Sequence, residues 1–190
     1  MGRIIISQNV TLDGITQDPT GGQGFRHGGW FEIVMDTDRE AWAAVEFAEA
    51  KTASALLLGR GTDAYFGARW NDLPGEWADT LRAVPKYVIS STLKETVWQN
   101  GTVLDGDVVD EVKLLRDRIE GDILVYGSRP LVQALLDNDL VDEIRLFLFP
   151  LIVGEGEPLF ASLNDQVTLR RGETQIIGSG LVHQTYEVVR

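Results

Sequence analysis

The chain of 190 residues contains no cysteine. Disulfides and thiolate metal sites are therefore excluded. Its two histidines, His27 and His183, lie far apart, so a zinc centre is not expected. No apolar run is long enough to span a bilayer. The opening MGRIIISQNV has one basic residue and too short an apolar run for a signal peptide. Ile6 stands where a myristoylation signal needs Ser or Thr. A soluble cytoplasmic protein is the expectation. Basic residues are scarce too: 17 Lys and Arg against 29 Asp and Glu leave a net charge of −12. That balance argues against nucleic acid as a partner. It also opposes a polyanionic ligand at long range, but salt screens the field beyond roughly 10 Å. Local cations can still act. Repeats, low-complexity tracts and linkers are missing as well, and the length suits one domain, residues 1–190.

What is present centres on residues 53–66, ASALLLGRGTDAYF. It reads as a buried strand, a glycine turn and the start of a helix. Gly59, Gly61 and Ala64 stand at the spacing G-x-G-x-x-A. After a strand and before a helix, that spacing lets backbone N–H groups approach a phosphate at the helix N-terminus. In a dinucleotide fold the next strand should end in an acid that holds the ribose 2′-hydroxyl. Here it ends in Ser90, Ser91 and Thr92. Hydroxyls, with Arg60 in the glycine turn, suit a 2′-phosphate better. NADPH is the cofactor suggested. A second strand–glycine–helix junction follows 122–126 (DILVY), where Gly127 and Ser128 precede Arg129-Pro130. Proline is favoured in a helix's first turn, so this is a second candidate anion seat.

In chain order, an apolar strand at 3–7 runs on to the Asp13-Gly14 turn. Residues 15–30 form a long glycine-rich loop, read as a mobile lid with Trp30 or Phe31 as an apolar wall. A helix capped by Asp36, Thr37 or Asp38 follows, with Glu40 completing a capping box. Helices are also expected at 62–69, 76–82, 108–119 and from 129 to about 138. Strands are expected at 87–89, 101–104, 122–126 and 141–151, then a hairpin of 167–171 with 176–177 against 181–189. The stretch 122–126 is apolar throughout and belongs in the middle of a sheet. The strand around Arg145, Phe147 and Phe149 is apolar on both faces, and a homodimer through 143–149 is expected to cover it. The sum is an α/β sheet with antiparallel strands added at the end.

These parts, in this order, resemble the dihydrofolate-reductase-like family. They look most like the C-terminal reductase domain of the bacterial riboflavin-biosynthesis deaminase-reductase and its stand-alone relatives. The matching pieces are TLDG (11–14), LLLGRGTDAYF (56–66), KYVISSTL (86–93), ILVYGSRPLVQALLDNDLVDEI (123–144) and PLIVGEGEPLF (150–160). The resemblance implies a three-layer fold around a mostly parallel sheet. It implies reduction of a small heterocycle by hydride from NADPH, as in 5-amino-6-(5-phosphoribosylamino)uracil reductase. Dihydrofolate or pterin reduction, and a non-catalytic NADPH-binding protein, are the alternatives. Gly59, Arg60 and Thr62 would hold the phosphates or the adenosine end. Ser90 and Ser91, with Thr92 beside them, would meet the 2′-phosphate. Gly127 and Ser128 would cradle the pyrophosphate, with Leu131 in the turn that follows. Asp13, as the catalytic acid, and Gly14 would lie near the nicotinamide. Dihydrofolate reductases hold the pterin with a carboxylate on the helix after the lid loop. Glu40, Glu46 and Glu49 on that helix are read instead as solvated face residues. Without cysteine, the zinc deaminase chemistry of the bifunctional enzyme is not expected.

Overall fold

The computed structural model describes residues 1–190, except for the side chains of residues 35–37. The elements in order are β1 (Arg3–Thr11), α1 (Trp30–Thr52), β2 (Ala53–Gly59), α2 (Arg60–Trp70), α3 (Glu76–Ala83), β3 (Lys86–Ile89) and β4 (Gly101–Leu104). They continue with α4 (Val108–Arg118), β5 (Asp122–Tyr126), α5 (Arg129–Asp137), β6 (Glu143–Phe149), β7 (Leu169–Ile177) and β8 (Leu181–Val188). All strands join one 8-stranded sheet in the order β4-β3-β2-β5-β1-β6-β8-β7. The pairs among β1 to β6 are parallel, and β8 runs antiparallel to both β6 and β7. This is an α/β architecture around a mostly parallel sheet with antiparallel C-terminal strands. Among the described residues, no helix is long and apolar enough to cross a membrane.

The central strands carry apolar runs (Ile4–Ile6, Ala55–Leu58 and Ile123–Val125) because both sheet faces are covered. Along β1, Ile4 and Ile6 enter the core beneath α4 and α5, while Ile5 faces α1 and α3. The strand β5 sits between β2 and β1, the central place its apolar run requires. The helix α4 starts where a capping residue stands: the Asp107 carboxylate accepts from the N–H groups of Val109 at 2.9 Å and Asp110 at 3.2 Å.

Three expectations are corrected. The helix α1 begins at Trp30, not after residue 36, and Gly29 precedes it at φ 82 without a side-chain cap. The expected capping side chains Asp36 and Thr37 lie outside the described residues. Asp38 lies inside the helix and accepts the N–H groups of Ser179 and Gly180, at 2.9 and 3.2 Å. It pins α1 to the β7–β8 turn. Next, β7 runs unbroken from 169 to 177 with a register shift between Arg171 and Thr174, so the two expected fragments are one strand. Finally, β6 lies inside the sheet between β1 and β8. Phe147 and Phe149 are fully buried against Trp30, Phe31, Ile177 and Leu181 of the same chain. The early start of α1 supplies the cover within the chain, so the apolar faces of Phe147 and Phe149 do not need a second copy to bury them.

Candidate active site

At the carboxyl ends of β1, β2, β3 and β5 the structure opens a cleft of about 1080 Å³. Open parallel sheets bind ligands at this end, because the following helices direct their N-termini there. The volume exceeds what one small ligand needs, so there is room for a cofactor and a substrate side by side.

The two glycine seats face each other across this cleft. Ser128 does not cap α5 through its side chain. Its hydroxyl instead accepts the Gly59 N–H at 2.7 Å and meets the Thr62 hydroxyl at 2.8 Å. It links the N-terminus of α2 to that of α5. The backbone is shaped for this contact. Gly127 has φ 57, and a Cβ there would come within 2.7 Å of Thr62 Oγ1. Ser128 itself is left-handed at φ 56, a conformation rare for a residue with a side chain. A Cβ on Gly61, by contrast, would meet nothing within 4 Å, so the turn is open to an approaching group. Leu131 lines the same wall and is buried.

Beside the first seat, the Arg60 guanidinium donates to Thr92 Oγ1 at 3.4 Å, and Thr92 lies 3.5 Å from the Ser90 hydroxyl. Arg60 lines the cleft and reaches these hydroxyls at its rim. Ser90 also accepts the Leu93 N–H at 3.0 Å, which holds the turn, and Ser91 is exposed next to it. The arginine and the hydroxyl cluster, 30 residues apart in sequence, are thus brought together.

The other end of the cleft is aromatic. Phe31, Trp42, Phe66, Trp70, Trp77 and Tyr126 line it. Phe31 and Trp42 pack edge to face at 4.8 Å, and the Trp42 indole N–H donates to Asn9 Oδ1 at 3.0 Å. An acid lies close to these rings, on the same helix as Phe31 and Trp42. Glu46 lines the cleft and is only 8% exposed. Burial, and then the charge of Glu49, push its pKa well above the usual carboxylate range. Tyr126 is also held neutral, first by burial and then by its acidic neighbours on α1. Its hydroxyl has no hydrogen-bond partner among the described residues.

Glu46 and Glu49 are therefore buried, contrary to the reading of them as solvated; Glu40 is exposed. A signal was present: Glu46 stands four residues after Trp42 and four before Ala50, on the stripe that meets the core.

Other expected residues lie elsewhere. Asp13 is outside the cleft lining. Burial raises its pKa, but hydrogen bonds from the Thr11 hydroxyl (2.5 Å) and the N–H groups of Gly154 (2.8 Å) and Val153 (3.3 Å) bring it below the usual value. A carboxylate so held fastens two loops and is poorly placed to give up a proton. Gly14, at φ 82, closes the same turn, its carbonyl accepting the Leu159 N–H at 2.9 Å. Phe31 does line the cleft, whereas Trp30 is core: it is 1% exposed, stacks edge to face on Phe149 and donates its indole N–H to the Gln17 carbonyl.

The loop 15–29 reaches the cleft through Thr16 to Thr20 and Gln23. Asp18 organises it by accepting the N–H groups of Gly22, Gln23 and Phe25 at 2.8, 3.1 and 3.2 Å. Tyr65 of α2 donates to Thr20 at 3.1 Å and ties the loop to the first seat.

Known proteins share this family and fold. Residues 3–183 match the family described as the RibD C-terminal domain. The chain is 28% identical over 189 residues to the uncharacterised protein YyaP of Bacillus subtilis, covering 97% of this chain and 94% of that protein. A candidate riboflavin biosynthesis protein from Shewanella sp. PV-4 superposes with a TM-score of 0.77 at 22% identity, over 99% of each chain. Dihydrofolate reductase from Enterococcus faecalis, solved with NADP(H), superposes with a TM-score of 0.58 at 16% identity, over 98% of this chain and 96% of that one. With a family match over nearly its full length and these neighbours in fold, the chain belongs to the RibD C-terminal domain family.

Proposed function

We propose that residues 1–190 act as one NADPH-dependent reductase domain that transfers hydride to a small heterocyclic substrate. The observation that carries this reading is the shared cleft: two helix N-termini joined through Ser128 at one end, and an aromatic chamber holding a buried acid, Glu46, at the other.

The cradle fits a dinucleotide diphosphate. Gly61 is open, Gly127 leaves no room for a side chain, and both helix ends offer backbone N–H groups. Arg60, with Ser90, Ser91 and Thr92, would take the 2′-phosphate, the guanidinium through charge-assisted bonds. Bound NADPH supplies the hydride. The protein's own work is at the other end. Phe31, Trp42, Trp70 and Trp77 hold a flat ring and exclude water. Glu46, buried and protonated, gives its proton to the substrate heteroatom next to the carbon that accepts hydride. Hydride and proton together reduce one double bond, and Glu46 is reprotonated from solvent after product leaves. Glu46 replaces Asp13 as the proposed acid, since it lies in the cleft.

Within the family, a substrate similar to 5-amino-6-(5-phosphoribosylamino)uracil is the leading choice. A pterin or dihydrofolate is the second, and Glu46 favours it, because the acid stands on the helix after the loop. Spectrophotometric NADPH oxidation, run with a ribosylamino-pyrimidine, dihydrofolate and small carbonyl compounds, tests both. Turnover of one of these is expected. Tight NADPH binding without turnover of any would overturn the reductase reading in favour of a non-catalytic binding protein.

A further inference from the structure

Behind the aromatic chamber lies a group of buried charges that hydride transfer does not itself require. Glu49 stands one helical turn after Glu46 on α1 and is 6% exposed. It points into the sheet. Its Oε2 accepts from the Ser7 hydroxyl of β1 at 2.7 Å. Its Oε1 lies 3.4 Å from Arg145 Nη1 of β6 and 3.4 Å from His183 Nε2 of β8. Arg145 is itself shared: its Nε donates to Glu143 at 2.6 Å, and its Nη2 lies 4.0 Å from Asp122 of β5. Those two acids also take Arg3, at 2.7 and 3.5 Å. The Tyr126 hydroxyl completes the surroundings and is neutral.

The two glutamates are therefore unequal. Glu49 accepts a hydrogen bond from the Ser7 hydroxyl and faces the Arg145 guanidinium. Glu46 has no such partner among the described residues and opens on the cleft. Two carboxylates in one buried site do not both ionise cheaply, so the proton stays on the one without donors.

We infer that Glu49 is a positioning residue: its carboxylate, fixed behind the cleft wall by Ser7 and Arg145, keeps the proton on Glu46. The use made of that proton rests on the reductase reading; its location does not. Arg145 cannot cancel the effect, because Glu143 and Asp122 already draw on its charge.

The test is a pH titration of the ligand-free protein by carbon-13 NMR with labelled glutamate carboxyls. Glu46→Gln identifies the Glu46 signal by its loss. In the wild type that signal should titrate above the ordinary glutamate range. Glu49→Gln should lower the midpoint, though burial keeps it above that of a free glutamate. Ser7→Ala is the second variant, since Glu49→Gln leaves Arg145 short of a partner and can fail to fold. Removing the hydroxyl donor lets Glu49 share the proton, so the Glu46 midpoint should fall again. An unchanged midpoint in Ser7→Ala, or in folded Glu49→Gln, overturns the proposal. Because no cofactor or substrate is present, a shifted midpoint with no turnover would count against the reductase reading alone.

Discussion

Replacing Glu46 by glutamine should make the protein more stable and less active, and the pH dependence identifies the cause. Glu46 is 8% exposed and its pKa is raised, first by burial and then by the Glu49 charge. The unfolded chain loses this proton near pH 4.3. The folded chain keeps it to higher pH, so between the two midpoints the native state binds more protons. Its stability then falls as pH rises, by about 1.4 kcal/mol per pH unit for a single group. Glutamine has no such penalty. The stability gap between variant and wild type should open near pH 4.3 and grow at up to that slope. It should level off where folded Glu46 ionises. Since Glu46 and Glu49 interact, the plateau belongs to the pair. For a chain of 190 residues, each kcal/mol moves the melting temperature by about 2–4 °C. Melting curves at closely spaced pH values read the gap directly. On the proposed substrates, loss of the general acid should lower turnover by about 10²- to 10⁴-fold. A gap that does not change with pH would refute the reasoning, because Glu46 would then be ionised and satisfied in the fold.

Three further outcomes follow from the geometry. Arg60→Ala should weaken NADPH binding by roughly tenfold, the low end for an exposed charge-assisted bond, with NADH much less affected in tryptophan-quenching titrations. Equal loss for both cofactors would mean that Arg60 holds the shared diphosphate. Gly127→Ala forces a Cβ into φ 57 and to within 2.7 Å of Thr62 Oγ1; about 1–3 kcal/mol of strain is expected. Paired melting and NADPH-binding curves should show a fold that is retained and a weakened cradle; unchanged binding would count against this seat. Arg116 is buried, with Nη2 at 3.2 and 3.1 Å from the two Asp142 oxygens, so Arg116→Leu should cost about 3 kcal/mol in urea unfolding, the low end for a broken buried pair. Asp142 keeps Ile4 N–H at 2.8 Å and Arg190 at 2.9 Å, which is why the low end applies.

How much of this was legible depended on the range of the interaction. The strand–glycine–helix turns at 58–62 and 126–130, the Asp107 cap and the central apolar strands could all be read from neighbouring residues. Backbone preference, capping and side-chain period act over a few positions. The start of α1 was hidden because its cap is a left-handed glycine without a side-chain bond, while Thr37 and Glu40 offered a capping box that lies within the helix. The cover of the strand 143–149 was hidden for a related reason: Phe147 and Phe149 pack on Trp30 and Phe31, more than a hundred residues earlier.

The same division runs through the site. The sequence by itself determined where strand–glycine–helix turns would form, since backbone freedom at glycine and a helix start are properties of neighbouring residues. Tertiary structure decided which acid matters. A helical glutamate has the same intrinsic chemistry at Glu40, Glu46 and Glu49. Its protonation depends on how much water it keeps and which charges stand near it. For Glu46 and Glu49 those were set by Ser7, Tyr126, Arg145 and His183, brought in from four strands by folding.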